Sequence, residues 1–495
     1  MKIKNIITWT ILPAAYLITR LVNLKIIPIF TDEAIYTFWA QVALHDPQNR
    51  FISLEDGKQP LFIWIAAVFQ KFISDPLIAT RLVSVLTGLG SMIGIYLTSD
   101  LLFKNKKIAL LSSILYIILP FTLLYDRMAI FDSLLTMLGI YAVFFSIKIA
   151  RDPKLDLALL NGFAIGLGLI TKSSAIFFLY LLPFSLLMFD YSKKTRKARF
   201  IYWIVYTIIT VVLAQIIYNA LRLSPLFYII ARKNMEFIRP FSEVINTPFY
   251  SFNSNFHAIV GWIFVYTSPV FFTVFIAGAL YGLYRKNRRV LYLLVLIFAP
   301  FTAEVVFNKV LYARFTLFYY PYIIITISYA FVTAYESLKK YRKYIMIVLI
   351  TGSVMPLQTS FLLLTNPTSA YIPENDKNQY MNDWPAGYGV PQIINFLKQK
   401  SEKNEVYVGT EGTFGLYPYA LLVYFYANPN IHIYSYWPVS ANSLPREIVD
   451  FSKNHETYFI YNFTQEPILD NHARLIAKFQ KGAGDSYMRL YEVNP

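Results

Sequence analysis

The chain has 495 residues, of which 56% are hydrophobic and only 15% charged. Soluble globular proteins carry about a quarter charged residues, so this balance excludes an ordinary water-soluble enzyme and points to the bilayer. The net charge of +16 would suggest nucleic-acid binding in a soluble protein, but here it falls in short loops between apolar runs, and the absence of cysteine excludes disulfides, thiolate catalysis and cysteine-held metals.

Apolar stretches long enough to cross a hydrocarbon core of ~30 Å recur about eleven times. They cover 6–27, 79–102, 108–124, 129–148, 157–171, 174–190, 200–221, 258–284, 290–307, 315–334 and 344–364. The first follows a short basic start, Met1-Lys2-Ile3-Lys4, and no small-residue cleavage pattern follows it, so it reads as a retained signal-anchor helix. Leu61 to Phe72 is too short to cross and is expected to lie along the interface. Alternate connections are basic: Lys104 to Lys107; Lys148, Arg151 and Lys154; Lys193 to Arg199; Arg285 to Arg289; Lys339 to Lys343. With Lys2 and Lys4 they fall on one side, which the positive-inside rule makes cytoplasmic. The expectation is therefore a multi-pass plasma-membrane protein with its N-terminus in the cytoplasm.

On that count the loops carrying Asp32, Asp126 and Lys172, the segment 222–257, the stretch from Glu304 to Arg314 and the tail from Thr365 are all extracytoplasmic. In the tail, Pro367, Pro373, Pro385 and Pro391 mark a linker. Short strands are then predicted at 405–408, 431–434, 457–460 and 487–490, alternating with helical segments near 391–401, 414–427 and 444–454. The predicted fold class is mainly α: a transmembrane helix bundle, residues 1–364 with outer loops 28–78 and 222–257, followed by a small extracytoplasmic α/β domain, residues 365–495.

Ionisable groups at span ends are costly in lipid and are functional candidates by default. Asp32 and Glu33 follow the first span. Neighbours on a helix point about 100° apart, so the two carboxylates cannot share one role; an acidic helix N-terminus explains the pair equally well. Lys58 precedes Pro60-Leu61 at the interfacial segment and reads either as an ammonium at phosphate height or as a snorkelling lysine. Arg81 opens the second span under the same two readings. Arg127 and Asp132 sit in a tight hairpin, where a structural ion pair competes with a catalytic role. Lys172 lies in the turn between the fifth and sixth spans, and Glu304, Lys309 and Arg314 surround the turn before the tenth. Cations there can hold a phosphate leaving group, and a carboxylate can deprotonate an acceptor hydroxyl.

In this order the motifs resemble the GT-C superfamily of integral-membrane glycosyltransferases, and within it the protein O-mannosyltransferases and bacterial lipid A aminoarabinose transferases. The resemblance rests on Asp32-Glu33, the Lys58 to Trp64 stretch, Ala79-Thr80-Arg81-Leu82, the Arg127 to Asp132 hairpin, Thr171-Lys172, and Arg314 with Tyr320-Pro321. It covers residues 1–335 and leaves the tail without a motif. It implies inverting transfer from a polyprenyl-phosphate sugar to a hydroxyl of a protein, glycan or lipid acceptor. Asp32 is then the general base, with Glu33 and Asp132 beside it as catalytic candidates. Lys58, Arg81, Arg127, Lys172 and Arg314 are the donor-phosphate candidates.

The chain departs from the aminoarabinose transferases at Gly57, where they carry a glutamate implicated in metal binding; this disfavours the divalent cation that the resemblance would allow, no metal-ligating residue is singled out, and no other cofactor is called for. The Trp-Trp-Asp signature of oligosaccharyltransferases is absent. Two readings from other classes remain: a transporter or flippase of lipid-linked sugars, which would hold its charges near mid-membrane in broken helices, and a non-catalytic sensor with an outer domain.

Overall fold

The computed structural model describes residues 7–495; the basic start at Lys2 and Lys4, and Ile6 of the first expected span, lie outside the described residues. The chain is mainly helical with one five-stranded sheet near its end. Among the described residues, five helices are long and apolar enough to cross a membrane: Pro76–Phe103, Asp132–Arg151, Arg196–Leu223, Arg288–Phe307 and Lys339–Thr365. A sixth span results if the pair Phe252–Thr267 and Pro269–Tyr284, bent by 111°, counts as one.

Several of the eleven expected spans are broken or short, for local reasons. The 108–124 stretch divides into helices Lys106–Ile118 and Pro120–Tyr125 at Leu119, whose ψ of 132° is extended. A proline pushes its preceding residue out of the helical region. The 258–284 stretch turns at Ser268, φ 77°, ahead of Pro269, and the Ser268 hydroxyl accepts from the Phe271 N–H to start the second half. The 174–190 stretch becomes short 3₁₀ and α turns around Pro183. Leu61–Gln70 is a ten-residue apolar helix, too short to cross a hydrocarbon core of ~30 Å.

Two compact units make up the chain. The first comprises Met1–Val22, Phe51–Phe62 and Leu82–Phe361. Its helices Leu155–Leu169 and Arg196–Asn219 approach closely through Gly162 and Gly166: a Cβ at either would sit within 3 Å of Leu213 or Ile217 side-chain atoms. Small residues four apart let membrane helices pack backbone to backbone where no hydrophobic effect drives them together.

The second unit comprises Asn23–Arg50, Ile63–Arg81 and Leu362–Pro495. Its strands are β1 (Val406–Glu411), β2 (Ile431–Tyr436), β3 (Glu456–Tyr461), β4 (Ala473–Gln480) and β5 (Tyr487–Val493), in the order β2-β1-β3-β5-β4. β1 pairs parallel with β2 and β3, whereas β5 pairs antiparallel with β3 and β4. Four strands and the helices Val390–Ser401, Tyr419–Tyr424 and Arg446–Ser452 match the sequence reading; β4 does not appear in it. Its Leu475 and Ile476 are both exposed, and the ladder with β5 is irregular between Leu475 and Ala477, so the period-two signature of a half-buried strand is lost. The core of this unit joins sheet residues Val406, Val408, Tyr458, Ile460 and Leu490 to Ile393 and Leu397 of the Val390–Ser401 helix. It also takes in Ile29, Ala34 and Leu77 from far upstream, so the segment around Asp32 belongs to the body that contains the sheet.

Candidate functional site

In the first unit, three of the sequence-selected cations gather around one pair of rings. Lys58 follows Gly57, which stands at φ 65° and against which helix Phe227–Phe237 packs so closely that a Cβ would lie 2.6 Å from that of Lys233. Only glycine meets both demands. The Lys58 ammonium lies 4.8 Å from the centre of the Phe237 ring and 3.9 Å from Asp56 Oδ2. Lys233 bridges the other Asp56 oxygen at 2.8 Å and Glu236 at 2.9 Å. Partial burial works against the Lys233 charge, but its hydrogen bonds to Asp56 and Glu236 prevail and hold its pKa above the usual lysine value.

Two hydrogen bonds tie the Lys58 segment to the Lys172 turn. Gln59 Nε2 donates to Ser173 Oγ at 2.7 Å, and the Leu61 N–H donates to the Ile170 carbonyl at 3.0 Å. Lys172 donates to Asp132 Oδ1 at 2.6 Å and sits 4.3 Å over the Phe315 ring. Asp132 occupies the first turn of helix Asp132–Arg151, where the dipole favours a carboxylate. Arg314, in the 3₁₀ turn Ala313–Thr316, lies 4.9 Å from the Tyr312 ring and 6.0 Å from that of Phe315. Phe315 and Phe237 are 6.4 Å apart, and the Lys309 N–H donates to the Phe237 carbonyl at 2.8 Å. Lys58, Lys172 and Arg314, from three separate loops, thus converge on Phe237 and Phe315. Glu304 is buried close by, accepting from Tyr319 Oη at 2.8 Å.

Arg127, in the same unit, has another setting. Its Nη1 donates to the carbonyls of Thr19, Arg20 and Val22, capping the C-terminal end of helix Leu12–Leu21. Beside it Arg20 lies 3.8 Å from Asp126, whose carboxylate also accepts from Tyr16 at 2.9 Å and Ser133 at 2.9 Å. Asp132 pairs with Lys172 across loops rather than only within its own hairpin.

The second unit holds Asp32, Glu33 and Arg81. Helix Thr31–His45 begins where Thr31 donates to the Pro385 carbonyl through both its N–H, at 3.1 Å, and its hydroxyl, at 3.2 Å. The neighbouring carboxylates diverge as helical geometry requires. Glu33 is fully buried and gripped by Arg81 at both oxygens, 2.7 and 2.6 Å, while Asp32 stays partly exposed in the helix's first turn. Arg81 also donates to the Leu24 carbonyl at 2.6 Å, so its guanidinium is committed to fixing this segment. The described residues contain no cluster of three or more metal-ligating side chains.

Sequence reasoning did not single out Phe237, Phe315, Lys233 or Arg20. The rings and Lys233 carry no local signature that sets them apart from other aromatic and basic residues. Arg20 did carry one, as a cation well inside an apolar run.

Residues 57–218 match the dolichyl-phosphate-mannose-protein mannosyltransferase family. That stretch contains Lys58, Arg81, Arg127, Asp132 and Lys172. The fold is also shared with solved structures at low identity. ArnT from Cupriavidus metallidurans bound to undecaprenyl phosphate aligns over 98% of both chains with a TM-score of 0.56 and 13% identity. The Archaeoglobus fulgidus oligosaccharyltransferase in its apo form aligns over 91% of this chain and 68% of its own, with a TM-score of 0.52 and 12% identity. The chain resembles the GT-C glycosyltransferases. No curated protein matches it. At such identities the structural likeness speaks for the GT-C fold alone, and the chemistry must be argued from this chain's own residues.

Proposed function

We propose that the chain transfers a sugar from a polyprenyl-phosphate donor to an acceptor hydroxyl on the extracytoplasmic side of the membrane, with inversion. The observation that carries this reading is the convergence of Lys58, Lys172 and Arg314 on the Phe237 and Phe315 rings. Breaking the bond from the anomeric carbon to a phosphate oxygen leaves a phosphate with an added negative charge. Three cations held by neighbouring loops stabilise that charge most when it is fully developed, which is the differential binding that lowers a barrier. Lys58 and Lys172 are partly exposed, which suits a lipid-borne phosphate entering from the bilayer, while Arg314 is buried. ArnT, of the same fold, binds undecaprenyl phosphate.

Asp32 is the general base in this reading. The acceptor hydroxyl gives its proton to the Asp32 carboxylate as its oxygen attacks the anomeric carbon. The bond to the donor phosphate breaks, and its electron pair leaves with the phosphate. Glu33 and Arg81 are positioning residues that hold the helix start, and Arg127 secures the end of helix Leu12–Leu21. Neither arginine is then a phosphate ligand. Asp132 orients Lys172.

The deciding experiment incubates membranes carrying the chain with defined polyprenyl-phosphate sugars and follows products by mass spectrometry. Wild type yields a glycosylated acceptor and free polyprenyl phosphate, and Asp32→Asn yields neither above background. Full turnover by that variant removes Asp32 as base. Absence of turnover by wild type on every donor removes the transferase reading.

A further inference from the structure

Because β1, β2 and β3 run parallel, their carboxyl ends share one edge of the sheet. In open α/β sheets this edge is where ligands bind. Each strand here leads into an exposed aromatic residue: Phe414 after β1, Trp437 immediately after β2 and Phe463 after β3. Trp437 is 56% and Phe463 52% exposed. They meet at 5.6 Å and 79°, and Phe463 meets Trp384 at 6.0 Å and 71°. Trp384, Phe463 and Trp437 thus form one ledge of edge-to-face rings, whereas Phe414 packs against Trp39 and Tyr419.

A buried polar network fixes this ledge. Glu411, at the end of β1, accepts from the backbone N–H groups of Asn462, Phe463 and Thr464. Lys481, fully buried, donates to the carbonyls of Trp384 and Ala386 and to Asn462 Oδ1. Asn462 Nδ2 donates to the Trp384 carbonyl at 3.1 Å. Burying a carboxylate and an ammonium is costly, and here both are spent on holding the Trp384 and Phe463 backbones still. A greasy contact with lipid needs apolar area but no such rigidity. The ledge also adjoins the candidate base: Pro385, next to Trp384, accepts both Thr31 hydrogen bonds, and a Cβ on Gly415 would lie 3.9 Å from Thr31 and 4.0 Å from Trp384.

We infer that the ring ledge of Trp384, Trp437 and Phe463 is an acceptor subsite for a glycan chain, whose sugar rings stack their C–H faces on the aromatic faces. The inference rests on the transferase reading for its role, though not for its existence. An extended peptide is the poorer occupant. Such peptides bind by adding to an unpaired strand, and the unpaired edges of this sheet are β2 and β4, whereas the ledge stands across strand ends.

The test uses the full chain in lipid nanodiscs and reads tryptophan fluorescence on titration with linear mannohexaose, cellohexaose, chitohexaose and a threonine-rich peptide of similar length. At least one saccharide binds, and its Kd rises about tenfold or more in Trp437→Ala and in Phe463→Ala, with most of the affinity kept in Trp437→Phe. Because both side chains are more than half exposed, both variants fold. Binding of the peptide alone, unchanged saccharide affinity in both alanine variants, or no saccharide binding at all overturns the inference. Quenching of Trp437 by brominated lipid also overturns it, since the ring then lies in the bilayer. Saccharide binding without transfer from any donor sustains the ledge and sinks the transferase reading; full transfer without saccharide binding does the reverse.

Discussion

Arg81 holds Glu33 by both carboxylate oxygens, at 2.7 and 2.6 Å, with side chains only 1% and 0% exposed. Removing one member of such a pair strands the other as an uncompensated buried charge, which costs about 3–5 kcal/mol. Arg81→Ala and Glu33→Gln therefore lower the unfolding temperature of the purified chain markedly. Asp32→Asn, one residue away but partly exposed, changes stability by about 0.5 kcal/mol or less. Equal losses from Asp32→Asn and Glu33→Gln in thermal unfolding would contradict this division of labour between the two carboxylates.

Lys58, Lys172 and Arg314 share one aromatic pair, so their contributions to donor binding are coupled. Each charge-assisted hydrogen bond to a phosphate contributes about 1.5–3 kcal/mol, so Lys58→Ala and Lys172→Ala each weaken polyprenyl-phosphate binding by roughly ten- to a hundredfold. The double variant loses a different amount from the sum, because groups in one network do not act additively. Lys172→Ala has a second effect, leaving Asp132 without its 2.6 Å partner. Calorimetry with polyprenyl phosphate in nanodiscs measures all three. Strict additivity would show that the cations act at separate places.

How much of this was legible in the sequence depends on how local each signal is. The divergence of Asp32 and Glu33 follows from helical geometry alone. Lys58, Lys172 and Arg314 are visible as costly charges at span ends, but their meeting is not, because it depends on Phe237 and Phe315, two rings among the chain's 41 phenylalanines. Arg81 and Arg127 carry the same signal as those three, yet one is bound to Glu33 and the other to the carbonyls of Thr19, Arg20 and Val22. Charge at a span end identifies a residue that needs a partner and leaves open whether the partner is the chain or a ligand. The breaks at Leu119 and Ser268 lie beside Pro120 and Pro269, a local cue that hydropathy averaging conceals.

Gly88 faces the buried Arg20, Asp126 and Tyr16 network. A Cβ there would overlap the Tyr16 hydroxyl and the Asp126 carboxylate. Tyr16 Oη donates to Asp126 at 2.9 Å, and Arg20 also donates to the Ile117 carbonyl at 2.7 Å. Gly88→Ala therefore separates these groups and disturbs the only anionic partner shown for Arg20 among the described ion pairs. The expected loss is about 1–3 kcal/mol from overpacking, with more if the ion pair opens. Reduced thermal stability with unchanged saccharide binding is the expected pattern, because the network lies in the unit that lacks the sheet.

Lys481 gives the sheet-containing unit a pH dependence of unusual sign. Burial pulls its pKa down from the ordinary value near 10.5 to about 7, against the nearby charges of Asp383 and Glu411, which favour the ammonium. Between those values the unfolded chain holds a proton that the folded chain has released, so stability rises with pH through this window. Below pH 7 both states are protonated and the full cost of burying the ammonium remains. The gain from pH 7 towards 10 is on the order of a few kcal/mol. Lys481→Met removes the titrating group and flattens the profile. It also leaves the Ala386 carbonyl and Asn462 Oδ1 without their lysine donor and the Trp384 carbonyl with Asn462 Nδ2 alone, so the variant is less stable than wild type at pH 10. Urea unfolding from pH 6 to 10, followed by the fluorescence of Trp384 and Trp437, measures both effects. A wild-type stability that falls across this range, or a variant with the same slope, would show that Lys481 keeps its proton where it is buried.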